Sequence, residues 1–265
     1  MLVHPQFDPV AVSLGPLDIH WYGLTYLVAF VGGWALARLR TSRPDSPVNA
    51  EQLGDLLFYM ALGVILGGRV GYVMFYHFER FLAEPLWLIQ IWEGGMSFHG
   101  GLIGVLAAML MFARRIGTGF FNIADFIAPV IPVGLGLGRI GNFINGELWG
   151  RPTSPELPWA MVFPQAGDAL PRHPSQLYQF ALEGVLLFVV LWWFSARPRP
   201  RMAVSGLFLA GYGVLRSVAE FYREPDAHLG FVLLDWMTMG QVLSAPMIVA
   251  GVILLFLAYR QGRSA

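Results

Sequence analysis

Three arginines lie inside long apolar stretches of the sequence: Arg69, Arg139 and Arg216. A charged side chain is costly in such a stretch and usually faces a cavity or a charged partner. If each stretch is a helix, each arginine lies ~21 Å along that helix from its expected inner end. The three therefore predict one basic pocket, suited to phosphate because a guanidinium binds oxyanions through two parallel N–H groups. The alternative is that each arginine extends to the lipid headgroups or forms an internal salt bridge. For Arg69, the functional interpretation and this alternative both stay open.

Arg216 has polar neighbours on its own helix face. Tyr212, Arg216 and Glu220 are spaced by four residues, so they stack along one side of a helix. An ion pair between Arg216 and Glu220 would aim the guanidinium at a ligand. A purely structural pair is the weaker alternative, because Tyr212 adds a third polar group to the same face.

Arg139 lies in a run of glycines and polar residues. Asn142, Glu147 and Gly150 follow it closely, and the helix is expected to break at Asn145–Gly146, which would expose polar backbone to a cavity. Small-residue helix packing explains the glycines but not the arginine, amides and glutamate beside them, so the run favours a ligand site. A short echo, Gly68-Arg69-Val70-Gly71 against Gly138-Arg139-Ile140-Gly141, predicts that both arginines line one cavity.

One histidine is a candidate general base. His99 lies between two glycine pairs, Gly94-Gly95 and Gly100-Gly101, which leave its imidazole approachable by large substrates. A histidine that only hydrogen-bonds a carbonyl at the membrane interface is the alternative. Tyr22 and Tyr76 fall at expected headgroup depth, where most tyrosines are interface anchors. The scattered histidines do not indicate a metal site.

These residues must be positioned by membrane helices. The chain has 265 residues, 56% hydrophobic and 13% charged, and a membrane helix needs ~20 mostly apolar residues. Seven stretches qualify, which predicts an all-α protein with seven transmembrane helices in one domain over residues 1–265. The predicted spans lie near residues 20–38, 55–76, 96–113, 123–144, 175–195, 203–222 and 236–259.

The basic residues orient the helices, because positive residues concentrate in cytoplasmic loops. The ten arginines that fall on one side are Arg38, Arg40, Arg43, Arg114, Arg115, Arg197, Arg199, Arg201, Arg260 and Arg263. The amino terminus is thus expected outside and the carboxyl terminus in the cytoplasm. The external loop 145–174, with its prolines and aromatics, predicts a compact cap at the interface, and segment 79–95 predicts an interfacial amphipathic stretch.

Composition excludes several kinds of chemistry. Cysteine is absent, so the chain has no disulfides, thiolate metal sites or cysteine nucleophile, and any reacting thiol must come from a substrate. The 17 basic and 17 acidic residues cancel, which indicates no nucleic-acid partner. The first nineteen residues lack a basic start followed by an apolar run, so a cleavable signal peptide is not expected.

Several motifs resemble the bacterial prolipoprotein diacylglyceryl transferases over essentially the whole chain. The motifs that carry the resemblance are His20-Trp21-Tyr22-Gly23-Leu24, His99-Gly100-Gly101-Leu102-Ile103-Gly104, Gly138-Arg139-Ile140-Gly141-Asn142-Phe143-Ile144-Asn145-Gly146-Glu147 and Tyr212-Gly213-Val214-Leu215-Arg216 with Glu220-Phe221. The resemblance implies seven spans in the inner membrane, an active site facing the periplasm and no cofactor. It also implies that phosphatidylglycerol and the lipobox cysteine of a preprolipoprotein signal peptide are the substrates, among membrane lipids, and that glycerol phosphate is released.

The resemblance assigns roles to the candidates already named. Its functional set is His99, Arg139, Asn142, Glu147, Gly150, Arg216 and Glu220, with Tyr22, Tyr76 and Tyr212 in support. Either His99 as a base or the field of Arg139 alone would activate the thiol. From the residues alone two other classes stay open: a transporter of anionic lipid, and a metal-dependent phosphatidyltransferase, although no aspartate cluster suited to magnesium occurs in the spans.

Overall fold

The computed structural model describes residues 2–15, 17–225 and 229–261. The fold is mostly helical and divides into two compact units. The first unit consists of Met1–Ala37 and Ile127–Ala265, and the second is Arg38–Phe126. The single domain over residues 1–265 stays a prediction. Arg263, one of the arginines behind the predicted orientation, lies outside the described residues.

Helices cover all seven apolar stretches. They are α1 (Trp21–Thr41), α2 (Ala50–Tyr76), α3 (Phe78–Ala83), α4 (Phe98–Arg115), α5 (Phe120–Ile127), α6 (Ile131–Asn145), α7 (Ser175–Gln179), α8 (Leu187–Phe194), α9 (Ala203–Glu220) and α10 (Met239–Gln261). Shorter 3-10 helices cover Pro85–Ile89, Ile91–Glu93 and Pro164–Ala166, and a π-helical segment, Phe180–Leu186, joins α7 to α8.

Five short strands complete the described elements: β1 (Leu2–Val3), β2 (Val10–Leu14), β3 (Leu17–His20), β4 (Met161–Val162) and β5 (Pro171–Arg172). The prediction of an all-α protein is therefore confirmed only as a mostly helical fold. The sequence did not predict β1, β4 and β5 because each has only two residues, too few for an alternating pattern to reveal. The pairing of β1 with β4 also joins residues far apart in the chain.

The helices support a multi-pass membrane protein. Within the described residues, four helical stretches are long and apolar enough to cross a membrane, or five if α5 and α6, which are separated by a short break, count as one. α4 and α9 are each 18 residues long. α4 ends on two arginines, and α9 contains Arg216 and Glu220, which lower its hydropathy. The number of seven spans stays a prediction.

In the second unit, α2 packs closely against α4. A Cβ on Gly67 would clash with the carbonyl oxygen of Gly100, and one on Gly104 would clash with that of Gly63. Small residues on both helices thus let the two backbones approach, which is the usual basis of helix association in membranes.

In the first unit, the amino-terminal strand is built into the predicted cap. β1 pairs with β4, which pairs with β5. The buried His4 Nε2 lies 2.6 Å from the carbonyl oxygen of Phe143 in α6, and the His4 ring stacks on Phe163. Segment 145–174 is thereby structured and packs against the carboxyl end of α6, and its role as a periplasmic cap stays a prediction. α6 also packs against the π-helical segment, where Gly136 and Gly184 let the backbones approach.

Candidate active site

The first unit brings two of the three arginines of the apolar stretches together around one carboxylate. Arg139 Nη2 lies 3.5 Å from Glu183 Oε2, and Arg216 Nη1 lies 3.4 Å from Glu183 Oε1. The Glu183 side chain is completely buried, and the two arginine side chains are 19% and 12% exposed. Glu183 therefore joins α6 to α9, and we call Arg139, Glu183, Arg216 and Glu220 the arginine–glutamate cluster.

Glu183 is placed by an irregular helix. It lies within the π-helical segment Phe180–Leu186, which interrupts the α-helical run between α7 and α8. Such segments are rare and occur often at functional sites. Gly184 contacts α6 beside Gly136, so no side chain separates the two backbones at this level. The close approach brings the Glu183 carboxylate within reach of Arg139.

Glu220 anchors the other side of Arg216. Arg216 Nη2 pairs with Glu220 Oε1, as the four-residue spacing predicted. Arg223 Nη1 donates to the same oxygen at 3.3 Å, and Thr238 Oγ1 donates to Oε2 at 2.6 Å. Both carboxylate oxygens are thus bonded, and Glu220 is completely buried. The arrangement restricts Arg216 to one orientation.

A series of hydrogen bonds runs from Arg139 to polar side chains at the end of α6. Arg139 Nη1 donates to Asn142 Oδ1 at 3.4 Å, and Asn142 Nδ2 donates to Glu147 Oε1 at 2.8 Å. α6 ends at Asn145, and Gly146 follows in the left-handed region at φ 65°. The predicted break at Asn145–Gly146 is confirmed, and it turns Glu147 back toward Asn142.

Two of the candidate tyrosines, Tyr22 and Tyr212, belong to this unit and lie beside its polar and charged side chains. A Cβ on Gly141 would meet the ring of Tyr22, so α1 packs directly on α6 there. The Tyr22 hydroxyl is 3.2 Å from that of Tyr26 and also interacts with the Asn142 side chain. Tyr212 is half-buried on α9, within electrostatic reach of Glu183 and both arginines of the cluster. Tyr212 thus borders the cluster, and Tyr22 borders the polar side chains that follow Arg139.

Gly150 is held by backbone on two sides. A Cβ there would clash with the carbonyl oxygens of His173 and Tyr222. Gly150 N–H donates to the His173 carbonyl at 2.9 Å, and its own carbonyl accepts from Arg172 Nη1 at 3.1 Å. This geometry gives Gly150 a packing role between the cap and the end of α9. A direct part in substrate binding stays a prediction.

The cluster and its immediate neighbours are balanced in charge. Three arginines, at 139, 216 and 223, meet three glutamates, at 147, 183 and 220. Each guanidinium has five N–H donors, and the bonds within the described residues leave some of those on Arg139 and Arg216 available to an anion. Across the described ranges, no three His, Cys, Asp or Glu side chains are grouped so as to hold a metal ion.

Arg69, in the second unit, is bound by backbone carbonyls. Its side chain donates to the carbonyl oxygens of Leu88 at 3.0 Å, Gly94 at 2.6 Å and Trp87 at 2.6 Å, and its guanidinium lies over the Trp87 ring. Arg69 is only 2% exposed. It therefore braces the segment between α3 and α4, and binding of lipid phosphate by Arg69 stays a prediction.

His99 and Tyr76 also belong to the second unit, and both are exposed. His99 is the second residue of α4, whose first turn is capped by Ser97 Oγ accepting from Gly100 N–H at 3.2 Å. Tyr76 is 65% exposed at the end of α2, and its ring stacks on Tyr72. The His99 imidazole is accessible, as a group that exchanges protons with a substrate must be.

Glu183 is the main residue that sequence reasoning missed. It is the one acidic residue in the apolar stretch near 175–195, and the rule applied to the arginines would have identified it. Gln176 and Gln179 share its helix and are also buried. Arg223 and Thr238, which hold Glu220, lie beyond the end of α9 and give no signal in the sequence.

Comparison with known proteins agrees with the motifs. A family model described as prolipoprotein diacylglyceryl transferase matches residues 9–257. A phosphatidylglycerol–prolipoprotein diacylglyceryl transferase of Ectopseudomonas mendocina (strain ymp) is 59% identical over 98% of this chain and 97% of its own. Two enzymes of the same name also match. The one from Pseudomonas entomophila (strain L48) is 57% identical over 100% of this chain and 98% of its own. The one from Coxiella burnetii (strain RSA 331 / Henzerling II) is 59% identical over 98% of this chain and 98% of its own. The chain belongs to the prolipoprotein diacylglyceryl transferase family.

Proposed function

We propose that this protein transfers the diacylglyceryl group of phosphatidylglycerol to the thiol of the lipobox cysteine in a preprolipoprotein signal peptide. A thioether forms and glycerol phosphate is released, which makes this the first step of bacterial lipoprotein maturation. The observation that carries the proposal is the Arg139–Glu183–Arg216 bridge in a chain that matches the family over nearly its whole length. The names of its relatives support the substrates.

The protein acts in the bacterial inner membrane, with seven spans, a periplasmic amino terminus and cap, and a cytoplasmic carboxyl terminus. The concentration of arginines after alternate apolar stretches supports this orientation. The active site faces the periplasm, among the membrane lipids that supply one substrate. Both substrates are membrane-anchored, so they reach the site from the bilayer.

The reaction is a displacement at carbon. The cysteine sulfur attacks the glyceryl carbon, the bond from that carbon to the phosphate oxygen breaks, and its electron pair leaves with the phosphate. The released monoester carries more negative charge than the diester. Arg139 and Arg216 stabilise this charge, since fixed donors in a site shielded from water are effective where charge develops.

The glutamates orient these donors. Glu183 holds Arg139 and Arg216 from one side, and Glu220 fixes Arg216 from the other. Asn142 binds glycerol or phosphate oxygens and is oriented by Glu147. Tyr22, Tyr76 and Tyr212 support the substrates, and no metal or other cofactor takes part.

The thiol must lose its proton, because the thiolate is the nucleophile and a free thiol ionises only above neutral pH. His99 takes this proton as general base, and the exposure of its imidazole supports the role. The cationic field of Arg139 is the rival means of raising the thiolate fraction.

The test is direct. Purified protein in detergent is incubated with phosphatidylglycerol and a peptide containing a lipobox, and the peptide is weighed by mass spectrometry. A mass increase of one diacylglyceryl group is expected, and a peptide whose cysteine is replaced by serine should stay unmodified. An unmodified cysteine peptide, together with movement of phosphatidylglycerol between leaflets of liposomes, would contradict the proposal and indicate a transporter.

A further inference from the structure

Three polar side chains follow one another along the helical run α7–π–α8, and each is almost completely buried. Gln176 and Gln179 are 1% exposed and Glu183 is 0% exposed. Spacings of three and four residues place them on one face of a helix. That face contacts the functional residues already described: Gln176 Nε2 donates to the Glu147 carbonyl at 2.6 Å, and Glu183 contacts Arg139 and Arg216.

Each of these side chains has a polar atom without a hydrogen-bond partner. Within the described parts of the chain, the atoms are Gln176 Oε1, Gln179 Nε2 and Glu183 Oε2. Buried polar groups in proteins are rarely left without a hydrogen bond, so a row of three is unusual. Glu183 Oε2 still faces Arg139 at 3.5 Å, but Gln179 Nε2 has neither a charged nor a neutral partner among the described residues. The row therefore indicates a site that a polar ligand completes.

The position of Gln179 narrows the chemistry of that ligand. Gln179 lies about one helical turn, ~5.4 Å along the helix, from Glu183, which contacts the two arginines that would bind phosphate. An amide is uncharged and offers both donors and an acceptor, which matches a hydroxyl group better than an ion. A neutral polyol next to a phosphate fits both features.

We propose that Gln179 recognises the headgroup glycerol of phosphatidylglycerol by hydrogen bonding to one of its hydroxyls, with Gln176 completing the subsite. The inference rests on the proposed function, in which this glycerol leaves with the phosphate. Gln179 thus determines the choice of lipid headgroup, whereas Arg139 and Arg216 bind the phosphodiester that all such lipids share.

The test compares two lipids with the same acyl chains: phosphatidylglycerol and phosphatidylethanol, which has the same phosphodiester but no headgroup hydroxyl. Transfer to a lipobox peptide is measured as kcat/KM for the wild type and for Gln179→Met, which keeps the length of the side chain and removes the amide. The expected result is a loss of about tenfold or more with phosphatidylglycerol, the size of one lost hydrogen bond to a buried group. The rate with phosphatidylethanol should stay within about twofold, since that lipid leaves the amide unbonded in either case.

A matched control is Gln241→Met. Gln241 is also buried, but its amide is bonded within the protein, to Thr238 N–H and to the Ser217 carbonyl. This variant should change the rates of both lipids by the same factor. If phosphatidylethanol binds without being turned over, its inhibition constant against phosphatidylglycerol replaces its rate, and Gln179→Met should leave that constant unchanged.

Several results would overturn the inference. One is a wild type that does not distinguish the two lipids, and another is a Gln179→Met protein that slows both equally or neither. An equal loss with a lower thermal unfolding midpoint would assign Gln179 a structural role instead. Failure of the proposed function is seen separately, as a wild type that adds no diacylglyceryl group from phosphatidylglycerol at all.

Discussion

Arg216 and Glu183 lie on different helical elements and form an ion pair of 3.4 Å between Nη1 and Oε1. The other oxygen of the same carboxylate faces Arg139 at 3.5 Å. Two guanidiniums that would repel each other are therefore held around one buried negative charge. Donors fixed in this way need no rearrangement when negative charge develops on a substrate, which is the condition for electrostatic catalysis.

Removing the charge of Glu183 should impair both folding and transfer. Breaking a buried ion pair by removing one partner costs ~3–5 kcal/mol, and here the lower end applies because both arginines keep other partners. Glu183→Ala should lower the thermal unfolding midpoint in detergent and reduce the transfer rate. Glu183→Gln, which keeps the shape, should fold better and remain slow. Glu79→Gln, at an exposed position of α3, is the control, and wild-type rates in both Glu183 variants would contradict the role.

Each arginine of the cluster should be needed for the chemical step. Removal of one donor to a transition state typically costs ~2.7–4 kcal/mol, so Arg139→Ala and Arg216→Ala should each lose ~100- to 1000-fold in kcat. The lysine variants keep the charge but lose the planar pair of N–H groups, so they should remain strongly impaired. Rates are measured by peptide mass on variants whose thermal unfolding is normal, with Arg114→Ala at an exposed position as control. Near-normal kcat in a folded Arg139 or Arg216 variant removes that arginine from the mechanism.

The sequence predicted the cluster well where the information is local. The spacing of Arg216 and Glu220 within one helix predicted their ion pair, and the Asn145–Gly146 pair predicted the end of α6. Glu183 was also detectable, as a charge in an apolar stretch, but its two partners depend on how helices pack. Packing between distant segments has no local pattern.

The same limit applies outside the cluster. Depth along a helix suggested that Arg69 resembles the other two arginines, yet its guanidinium is bound by carbonyls of a segment about twenty residues further along the chain. The two-residue strand β1 pairs with β4, from which it is separated by more than half of the chain, including the whole second unit. Hydrophobic periodicity locates helices, but it does not say which buried polar group meets which.

His99 should shape the dependence of the rate on pH. If His99 takes the thiol proton, His99→Gln should lower the rate and change its dependence on pH. The measurement is kcat/KM with the lipobox peptide across the range from pH 5 to about pH 9, the window in which histidine and thiol groups titrate. A His99→Gln variant with an unchanged profile would leave the arginine field as the sole means of activating the thiol.

The cap should lose stability in mild acid through His173. Burial lowers the pKa of His173 below its ordinary value, so the folded state favours the neutral imidazole. The unfolded chain then binds more protons than the folded one, and the contribution of His173 is fully present above ~pH 6.5 and declines as the pH falls toward the folded-state pKa. The drop in thermal midpoint between pH 7 and pH 5 should be smaller in His173→Gln than in the wild type. An equal drop in the two would contradict this, and His20→Gln at an exposed position is the control.

Gly150→Ala separates a packing role from a binding role. An added Cβ would clash with the carbonyl oxygens of His173 and Tyr222, which are backbone atoms on both sides of the glycine and cannot simply rotate away. Overpacking of this kind costs ~1–3 kcal/mol. The variant should therefore unfold at lower temperature and lose activity, because the cap no longer fits against the end of α9.

The matched control is Gly134→Ala in α6, where an added Cβ meets no atom within 4 Å. That variant should keep the wild-type unfolding midpoint or exceed it slightly, since alanine favours a helix over glycine by up to ~1 kcal/mol. If Gly150→Ala keeps its thermal midpoint but raises the KM for phosphatidylglycerol, Gly150 contacts the lipid directly. A lowered midpoint with an unchanged KM in the remaining folded fraction assigns Gly150 to the junction between the cap and α9.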